Sequence, residues 1–580
     1  MSYRNLHTAA RGVASCAITV SLVATLAGCG LFTRATDEPA VVEPKATQTQ
    51  TQTQTQTSDP SGSTPKADDG ATATSDENIV YIEDVEGLGL VADEGMAMAP
   101  SEAMPYEGYD PYNTEEYNAI EEKGFVSAAT SPLSTISSDV DTASYCNLRR
   151  MLRDGWTMDE IDAGAVRIEE MLNYFSYDYA TPQKGADLFG LSARVGDCPW
   201  NADTKLVTLG FATSPEAASI AEAGSNLVFL IDVSGSMESA DKLGLLKDSF
   251  DELVSHLGEN DRVSIVTYAS GEEVVLEGAR GDEQRKIMRA INRLQASGST
   301  NGEAGLKMAY ELAQENFIEG GVNRIVLASD GDLNVGMSSE SDLHDYVDKQ
   351  RDTGIYLSVL GFGSGNYKDN KMETLADHGN GSYHYIDCVE EAERVLGEKL
   401  TANLVPLADD VKLQVEFNPA LVKGYRLIGY ENRAMADEDF RNDEKDAGDV
   451  GPGHQFTVAY EVALTDSKQE VAQTDLKYGQ ESTGNADVSE WLTATIRYQP
   501  ADGSDVREQQ LAVGEDDWQR DPDKDWHFQA AVVELGMLLR DSSYAGTASF
   551  DQINELLDKG GVEGSVEREG FADLADLALG

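Results

Sequence analysis

The chain has 580 residues and carries 103 acidic side chains against 44 basic ones, which gives a formal net charge of −59. Such a surface repels phosphate backbones and anionic headgroups, so neither nucleic acid nor a bare lipid surface is an expected partner. The same acidity also serves to keep a protein soluble, and the length is enough for roughly three or four domains.

The N-terminus predicts a secretory signal over residues 1–28. A weakly basic start precedes the apolar run 13–27, which is shorter than the roughly 20 residues of a membrane-spanning helix. The run ends in Leu26-Ala27-Gly28-Cys29, which resembles the lipobox of bacterial lipoproteins. That resemblance implies cleavage before Cys29 and lipidation of its thiol, so that a lipid anchor alone holds the protein on the extracytoplasmic side of the cell membrane. The alternative is a short buried helix with a chance cysteine.

Residues 29–125 have almost no hydrophobic periodicity and include a Thr-Gln alternation from Thr47 to Thr57. A segment of this composition cannot bury enough apolar surface to fold, so it predicts a disordered stalk. The three cysteines beyond it are too few and too scattered for a disulfide framework or a structural zinc site, although one disulfide could form. They are Cys146, Cys198 and Cys388.

An accessory segment, residues 126–222, precedes the main domain and is expected to pack on that domain rather than fold alone. Its helical patterns lie at 145–152 and 166–175, and its strand-like runs lie at 188–195 and 206–212. Asp139 and Asp141 precede the first of these helices, and we interpret them as helix caps, with extra metal ligands as the alternative.

Residues 223–404 alternate regularly between short β-rich runs and longer helical ones. Strands are predicted at 227–231, 262–269, 273–277, 324–328, 356–361 and 383–386. Helices are predicted at 242–257, 283–294, 302–317, 341–351, 371–376 and 390–404. This alternation predicts an α/β fold, a doubly wound and mostly parallel sheet with helices on both faces. The uninterrupted apolar run 227–231 is expected to be its central strand.

Residues 405–580 predict a separate C-terminal α+β domain. Strand patterns at 411–417, 426–430, 456–464 and 491–498 have acidic, glycine-containing connections, which favour antiparallel pairing. A helix comes next, with the apolar face Phe528, Val532, Leu535, Leu538 and Leu539. The amphipathic end, 550–579, is expected to pack on its own domain, with a partner-binding surface as the alternative.

Five oxygen-bearing side chains are expected at one edge of the parallel sheet: Asp232, Ser234, Ser236, Thr300 and Asp330. The sequence Asp232-Val-Ser-Gly-Ser236 comes directly after the central strand, Thr300 opens a helix, and Asp330 comes after a neighbouring strand. Ligands of open α/β sheets bind in the crevice at such strand ends. Carboxylate and hydroxyl oxygens suit a hard divalent cation.

This set resembles the metal-ion-dependent adhesion site of von Willebrand factor type A (VWA) domains. The resemblance implies that Ser234, Ser236 and Thr300 are hydroxyl ligands, whereas Asp232 and Asp330 act largely through coordinated water. It implies one divalent cation, Mg²⁺ first, with Mn²⁺ or Ca²⁺ as other candidates. The flanking sequences resemble a bacterial YfbK-type architecture over residues 126–580, and that family brings no known enzymatic activity.

The predicted function is cell-surface binding, in which an Asp or Glu of a protein partner completes the coordination of the cation. One alternative is a structural envelope lipoprotein with a purely structural metal, and another is helix capping by Asp232 and Ser236. A hydrolase is disfavoured, because neither a Gly-x-Ser-x-Gly elbow nor a His-Glu-x-x-His pair is present. His378 and His384 are interpreted as surface or satisfied histidines rather than catalytic bases.

Overall fold

The computed structural model describes residues 113–182, 187–215, 223–331, 340–472, 482–485 and 488–580. The signal, Cys29 and the stalk up to residue 112 lie outside these described residues, so the lipid anchor and most of the stalk stay predictions. In the part of the chain that is described, no helix combines the length and the apolar character that crossing a bilayer requires.

The regular elements follow one another in chain order. The strands are β1 (Val126–Ser127), β2 (Leu133–Ser137), β3 (Phe189–Asp197), β4 (Lys205–Thr213), β5 (Ser225–Asp232), β6 (Arg262–Tyr268), β7 (Glu272–Arg280), β8 (Val322–Ser329), β9 (Tyr356–Phe362), β10 (Tyr383–Ile386), β11 (Ala408–Phe417), β12 (Val422–Ile428), β13 (Gly448–Val450), β14 (Gln455–Leu464), β15 (Glu490–Pro500) and β16 (Arg507–Gly514). The helices are α1 (Ala143–Arg153), α2 (Ile168–Asn173), α3 (Leu245–His256), α4 (Gln284–Ile291), α5 (Gly302–Glu315), α6 (Glu340–Arg351), α7 (Asp369–His378), α8 (Val389–Glu393), α9 (Leu400–Leu404), α10 (Lys524–Leu539), α11 (Phe550–Leu557) and α12 (Val566–Leu579).

Residues 223–404, which we call the A domain, are built on a sheet with the strand order β10-β9-β8-β5-β6-β7. Its first five strands are parallel, and β7 pairs antiparallel with β6 at one edge. Alternate residues of β5 enter two different apolar clusters, Phe229 on one face and Leu230 on the other. Helices therefore cover both faces, α3 and α4 on the Phe229 side and α5 and α7 on the Leu230 side. The predicted doubly wound sheet and its central strand are confirmed.

A β-sandwich forms the second layer of the molecule. One sheet has the order β1-β12-β14-β4-β3, and the other has the order β13-β11-β15-β16, with β2 also paired to β11. Apolar side chains from both sheets, including Phe211, Val458, Val415 and Ile496, form one buried cluster between them. The antiparallel pairing predicted for the C-terminal strands is confirmed.

The prediction that residues 405–580 form a separate domain is corrected by the pairing of these strands. β1, β2 and β4, all from residues 126–222, pair with β12, β11 and β14 respectively. Without these partners the C-terminal strands would expose unpaired backbone N–H and C=O groups. The chain therefore folds its two ends into one sandwich, with the A domain inserted between them in sequence.

Helices from both ends of the chain pack into one apolar layer. Phe528 of α10 lies 4.8 Å from Phe175 and 5.3 Å from Phe571 of α12, measured between ring centroids. Phe175 in turn lies 5.0 Å from Tyr145 of α1. Ile553 and Leu574 are buried in the same cluster, so the end of the chain packs on α10 of its own domain, as predicted, and also on the accessory segment.

Two predictions at the start of the folded part are corrected. Order begins by residue 113 rather than 126, because the Thr114 N–H donates to Gly365 O at 2.7 Å and Glu115 pairs with Arg150 at 3.0 Å. The acidic end of the predicted stalk therefore pairs with basic side chains far along the chain, which its own sequence does not indicate.

Asp139 and Asp141 do not cap α1. Thr142, the residue directly before this helix, makes no side-chain cap either. Asp139 accepts from the Asp141 N–H at 2.8 Å, and Asp141 accepts from the Tyr383 N–H at 2.8 Å. Both carboxylates also pair with Arg433, at 3.6 and 3.2 Å. They join the accessory segment to β10 of the A domain and lie outside the predicted metal site.

The buried acid Glu169 of α2 predicts a pH dependence of stability. Neither of its carboxylate oxygens has a hydrogen-bond partner among the described residues, and burial raises its pKa from 4.5 to about 7. The folded state binds the Glu169 proton more tightly than the unfolded state does, so protonation of Glu169 stabilises the fold. This contribution to the unfolding free energy is complete below about pH 4.5 and is lost as the pH rises through about 7. We expect Glu169→Gln to reduce the fall in unfolding free energy between pH 5 and 8 by on the order of 3 kcal/mol. Urea unfolding at both pH values measures it, and an unaltered fall in the variant would refute the assignment.

Candidate metal centre

The predicted site lies at the carboxyl ends of β5 and β8, two adjacent parallel strands of the A domain. Asp232 is the last residue of β5, and Asp330 directly follows β8. Both side chains are fully buried. Because parallel strands end at the same edge of a sheet, the two carboxylates belong to one rim.

Asp232 is fixed by two hydrogen bonds. Its Oδ1 accepts from the Ser234 backbone N–H at 2.8 Å, and its Oδ2 accepts from the Ser329 hydroxyl at 3.2 Å. Burial raises its pKa to about 6; the bonds from Ser234 oppose that rise, and the charge of Asp330 adds to it. The carboxylate turns back on its own loop instead of capping a helix, so the capping alternative for Asp232 is wrong.

The two serines present a pair of hydroxyls beside Asp232. Ser234 Oγ and Ser236 Oγ lie 3.0 Å apart, the first buried and the second exposed. The helical turns after them have no side-chain cap from either serine. One side of the hydroxyl pair therefore faces solvent.

The loop that carries Thr300 is tied to the serine loop by backbone hydrogen bonds. The Gly235 N–H donates to Gly298 O at 3.0 Å, and the Ser297 N–H donates to Val233 O at 2.8 Å. Gly298 has a φ of +85°, and a Cβ there would lie 2.4 Å from the Ser270 hydroxyl, so only glycine is accommodated. Thr300 itself is half-buried, and its hydroxyl makes no hydrogen bond to any residue that the structure describes.

Asp330 is bonded to a lysine that the sequence analysis did not single out. The Lys242 ammonium donates to Asp330 Oδ2 at 3.0 Å and to Asn366 Oδ1 at 2.7 Å. Asn366 also donates to Asp330 Oδ2, at 3.1 Å. Lys242 lies on a π-helical turn, Ala240–Gly244, and its side chain is only 7% exposed. No spacing rule links this lysine to Asp330, 88 residues away.

The residues of this rim fit a divalent cation. Hydroxyl and carboxylate oxygens are the ligands that hard cations prefer, and the exposed Ser236 leaves one side open. The raised pKa of Asp232 reflects a buried carboxylate without enough compensating positive charge. A cation among these oxygens would supply that charge.

Removing the Lys242 charge is expected to strengthen divalent-cation binding. The ammonium repels an incoming cation and occupies one oxygen of Asp330, so Lys242→Met is expected to raise the affinity for Mg²⁺ on the order of tenfold. Lys242→Arg, which keeps the charge, is the matched control. Calorimetric titration of the full chain compares the three proteins, and an unchanged or weaker affinity in Lys242→Met would contradict the prediction.

A second group of potential metal ligands comprises Cys146, Asp387 and Glu391, whose ligand atoms lie within 4.8 Å of one another. The described residues contain no further group of this kind. Arg149 donates to Asp387 at 2.5 Å and to Glu391 at 3.0 Å, so a guanidinium already occupies the group. Burial also raises the pKa of the Cys146 thiol, which disfavours the thiolate that metals require. This cluster is an ion-pair centre.

The remaining candidates do not form a site. Cys146, Cys198 and Cys388 are all free thiols. His378 pairs with Asp348 at 2.8 Å, as expected of a satisfied histidine. His384 has one satisfied nitrogen, since Nδ1 contacts Thr142, whereas no described residue is a hydrogen-bond partner of its Nε2.

Models of known protein families match three parts of the chain. A model of the von Willebrand factor type A domain matches residues 227–332, a von Willebrand factor model matches 111–208, and a model of the YfbK C-terminal region matches 402–579. The uncharacterized protein YfbK of Escherichia coli (strain K12) is 37% identical over 474 residues, which cover 80% of this chain and 81% of that protein. The chain belongs to the YfbK family. The match at 227–332 contains all five residues of the predicted metal site.

More distant proteins are similar to parts of the chain. Inter-alpha-trypsin inhibitor heavy chain H3 of Mesocricetus auratus is 24% identical over 257 residues, which cover 41% of this chain and 29% of that protein. A solved von Willebrand factor type A protein from Catenulispora acidiphila is 17% identical, covers 68% of this chain and 90% of its own, and superposes with a TM-score of 0.37. The ArnB paralog VWA2 from Sulfolobus acidocaldarius is 16% identical, with coverages of 68% and 97% and a TM-score of 0.32.

Proposed function

We propose that this protein is a lipid-anchored, extracytoplasmic binding protein that uses a divalent cation in its A domain to bind an acidic side chain of a protein partner. Asp232, Ser234, Ser236, Thr300 and Asp330 would hold the ion. The observation that carries the proposal is the pair of fully buried carboxylates beside the two serine hydroxyls, which are 3.0 Å apart.

The charges of the rim support binding of an external carboxylate. Asp232 and Asp330 contribute two negative charges and Lys242 one positive charge, so a divalent cation would leave the rim with a net positive charge. Ser236 is exposed, which leaves the cation accessible from solvent. An Asp or Glu of a partner is attracted to such a centre and supplies the oxygen ligand that it prefers.

A binding role accounts for the rim better than catalysis does. The hydroxyls of Ser234 and Ser236 bond to each other rather than to a histidine base. His384 and His454, whose pKa values burial lowers to about 3, line a separate pocket with residues of the accessory segment. We therefore propose that the chain is not an enzyme.

Electron–nuclear double resonance of Mn²⁺ bound to the full chain tests the proposed contact. With acetate labelled by carbon-13 at the carboxyl group as the probe, the expected result is a carbon-13 hyperfine coupling that Asp232→Ala removes. Asp251→Ala, a change of an exposed aspartate on α3, is the matched control and should keep the coupling. Tightly bound Mn²⁺ without any coupling to saturating acetate would leave the metal a purely structural role.

The anchor is tested separately in bacterial cells. Metabolic labelling with an alkyne fatty acid is expected to label the full-length protein through Cys29, so Cys29→Ser should abolish labelling and release the protein from membranes. Cys16→Ser is the control, because that thiol belongs to the predicted signal. Equal labelling of Cys29→Ser and the parent would disprove lipidation at this residue.

A further inference from the structure

A small, partly open cavity lies where the accessory segment, the last helices of the A domain and β14 meet. Its volume is about 30 Å³, which is room for one or two water-sized particles, because one needs roughly 10–15 Å³. We name it the junction cavity. The polar side chains that line it include Thr142, His384, Arg394, Lys399, Asn403 and His454.

The hydrogen bonds around His384 fix which of its nitrogens carries the proton. Arg394 donates to the Thr142 hydroxyl oxygen at 3.1 Å. In the described ranges the Thr142 hydroxyl contacts no other acceptor, so its proton is donated to His384 Nδ1, which lies 3.2 Å away. Burial and the nearby Arg394 lower the pKa of His384 to about 3, so the ring is neutral and its single proton is on Nε2. Nε2 is therefore a donor, and it is buried without a hydrogen-bond partner in the part of the chain that the structure describes.

His454 cannot accept that proton. Its Nδ1 accepts from the Gly451 N–H at 3.2 Å, so its own proton is on Nε2 and is donated to Asn403 Oδ1 at 3.1 Å. Both of its nitrogens are thus satisfied. Burial and the cations around it, with Lys399 first among them, lower its pKa to about 3, so this ring is also neutral.

Apart from the exposed Ser176, the other polar side chains of the cavity offer donors, or oxygens that already accept a hydrogen bond. The Lys399 ammonium makes no hydrogen bond or ion pair within 4 Å to a residue in the described ranges, and burial together with Arg394 lowers its pKa. The side-chain oxygens of Asn173 and Gln455 already accept backbone N–H groups, at 2.9 and 3.0 Å.

Acidic groups reach Lys399 and Arg394 only from outside the cavity. Glu398 and Glu567 act on Lys399 electrostatically without lining the cavity, and Glu391 pairs with Arg394. A buried donor without an acceptor costs about 1–3 kcal/mol. The cavity therefore offers the His384 N–H and the Lys399 ammonium to an occupant that accepts hydrogen bonds.

We propose that the junction cavity binds a small inorganic anion, with chloride as the size that the volume favours. The anion accepts from His384 Nε2–H and neutralises Lys399. Because the cavity walls come from the accessory segment, the A domain and β14, bound anion stabilises the contact between the A domain and the sandwich. The chain, whose net charge is −59, would thus bind an anion where the A domain meets the sandwich.

Thermal unfolding of the full chain in sodium chloride against sodium gluconate of equal concentration tests the proposal, because gluconate is too large to enter. We expect chloride to raise the Tm saturably over gluconate. Lys399→Met is expected to weaken the apparent chloride affinity at least tenfold, whereas Lys307→Met, an exposed lysine of α5, should leave it unchanged. A phosphate series shows whether oxyanions also enter. An equal Tm in chloride, phosphate and gluconate would overturn the proposal.

Bromide provides a readout that does not depend on a variant folding. Crystals of the parent protein soaked in sodium bromide are expected to show an anomalous peak within hydrogen-bond distance of His384 Nε2. A cavity that holds only water gives no such peak, and that result would also overturn the proposal.

Discussion

Replacing Arg167 with methionine is expected to lower the free energy of unfolding by about 3–5 kcal/mol. The guanidinium, with a side chain only 4% exposed, bonds to Asp369 at 2.5 Å and to Glu170, and it lies 3.5 Å from Glu373. Methionine would fill a similar volume but leave three buried carboxylates without their cation. Because Glu170 belongs to α2 and Asp369 begins α7, the loss also weakens the contact between the accessory segment and the A domain.

Urea unfolding of the full chain, followed by tryptophan fluorescence, measures this effect. Arg289→Met is the matched control, since Arg289 is exposed on α4, and we expect a change within about 0.5 kcal/mol. A loss of less than about 1 kcal/mol for Arg167→Met would show that the three carboxylates protonate or relax without the arginine.

Replacing Asp232 with alanine is expected to weaken Mg²⁺ binding by at least about 100-fold. Replacing residues that only orient the ligands of a metal already costs up to about 100-fold in affinity. Asp232 is fully buried, and its two oxygens hold the serine loop and Ser329 in place. The change thus removes a carboxylate charge and the hydrogen bonds that orient Ser234.

The Asp232→Ala protein is expected to stay folded without metal, because losing a buried carboxylate whose pKa is raised to about 6 offsets part of the cost of its lost hydrogen bonds. This separates loss of the site from loss of the fold. Asp251→Ala controls for removal of an aspartate elsewhere in the domain. Retained Mg²⁺ affinity in a folded Asp232→Ala protein would contradict the assignment of this residue.

The A domain could be predicted from the sequence because its strands are buried on both faces. The run Leu227–Ile231 has no polar interruption, and helical periodicity separates it from the next apolar runs. The rim residues followed from the same reasoning, since parallel strands end at one edge. Their positions at the ends of β5 and β8 are those expected.

The rest depended on contacts between residues far apart in the chain. Nothing near Lys242 indicates that its ammonium reaches Asp330, and nothing near Asp141 indicates that its carboxylate accepts the N–H of Tyr383. The sandwich was also divided wrongly, because strand pairing between β2 and β11 joins segments almost 300 residues apart. Local periodicity identifies a strand but does not identify its partner.

Calorimetric titration of Mg²⁺ into the full chain is the measurement that most directly tests the central claim, that the A domain holds one divalent cation. The account predicts saturable binding of one ion per chain, with Mn²⁺ competing for the same site. A titration with no saturable heat for either ion would contradict it, and the rim of Asp232 and Asp330 would then be a hydrogen-bonded part of the fold without a metal.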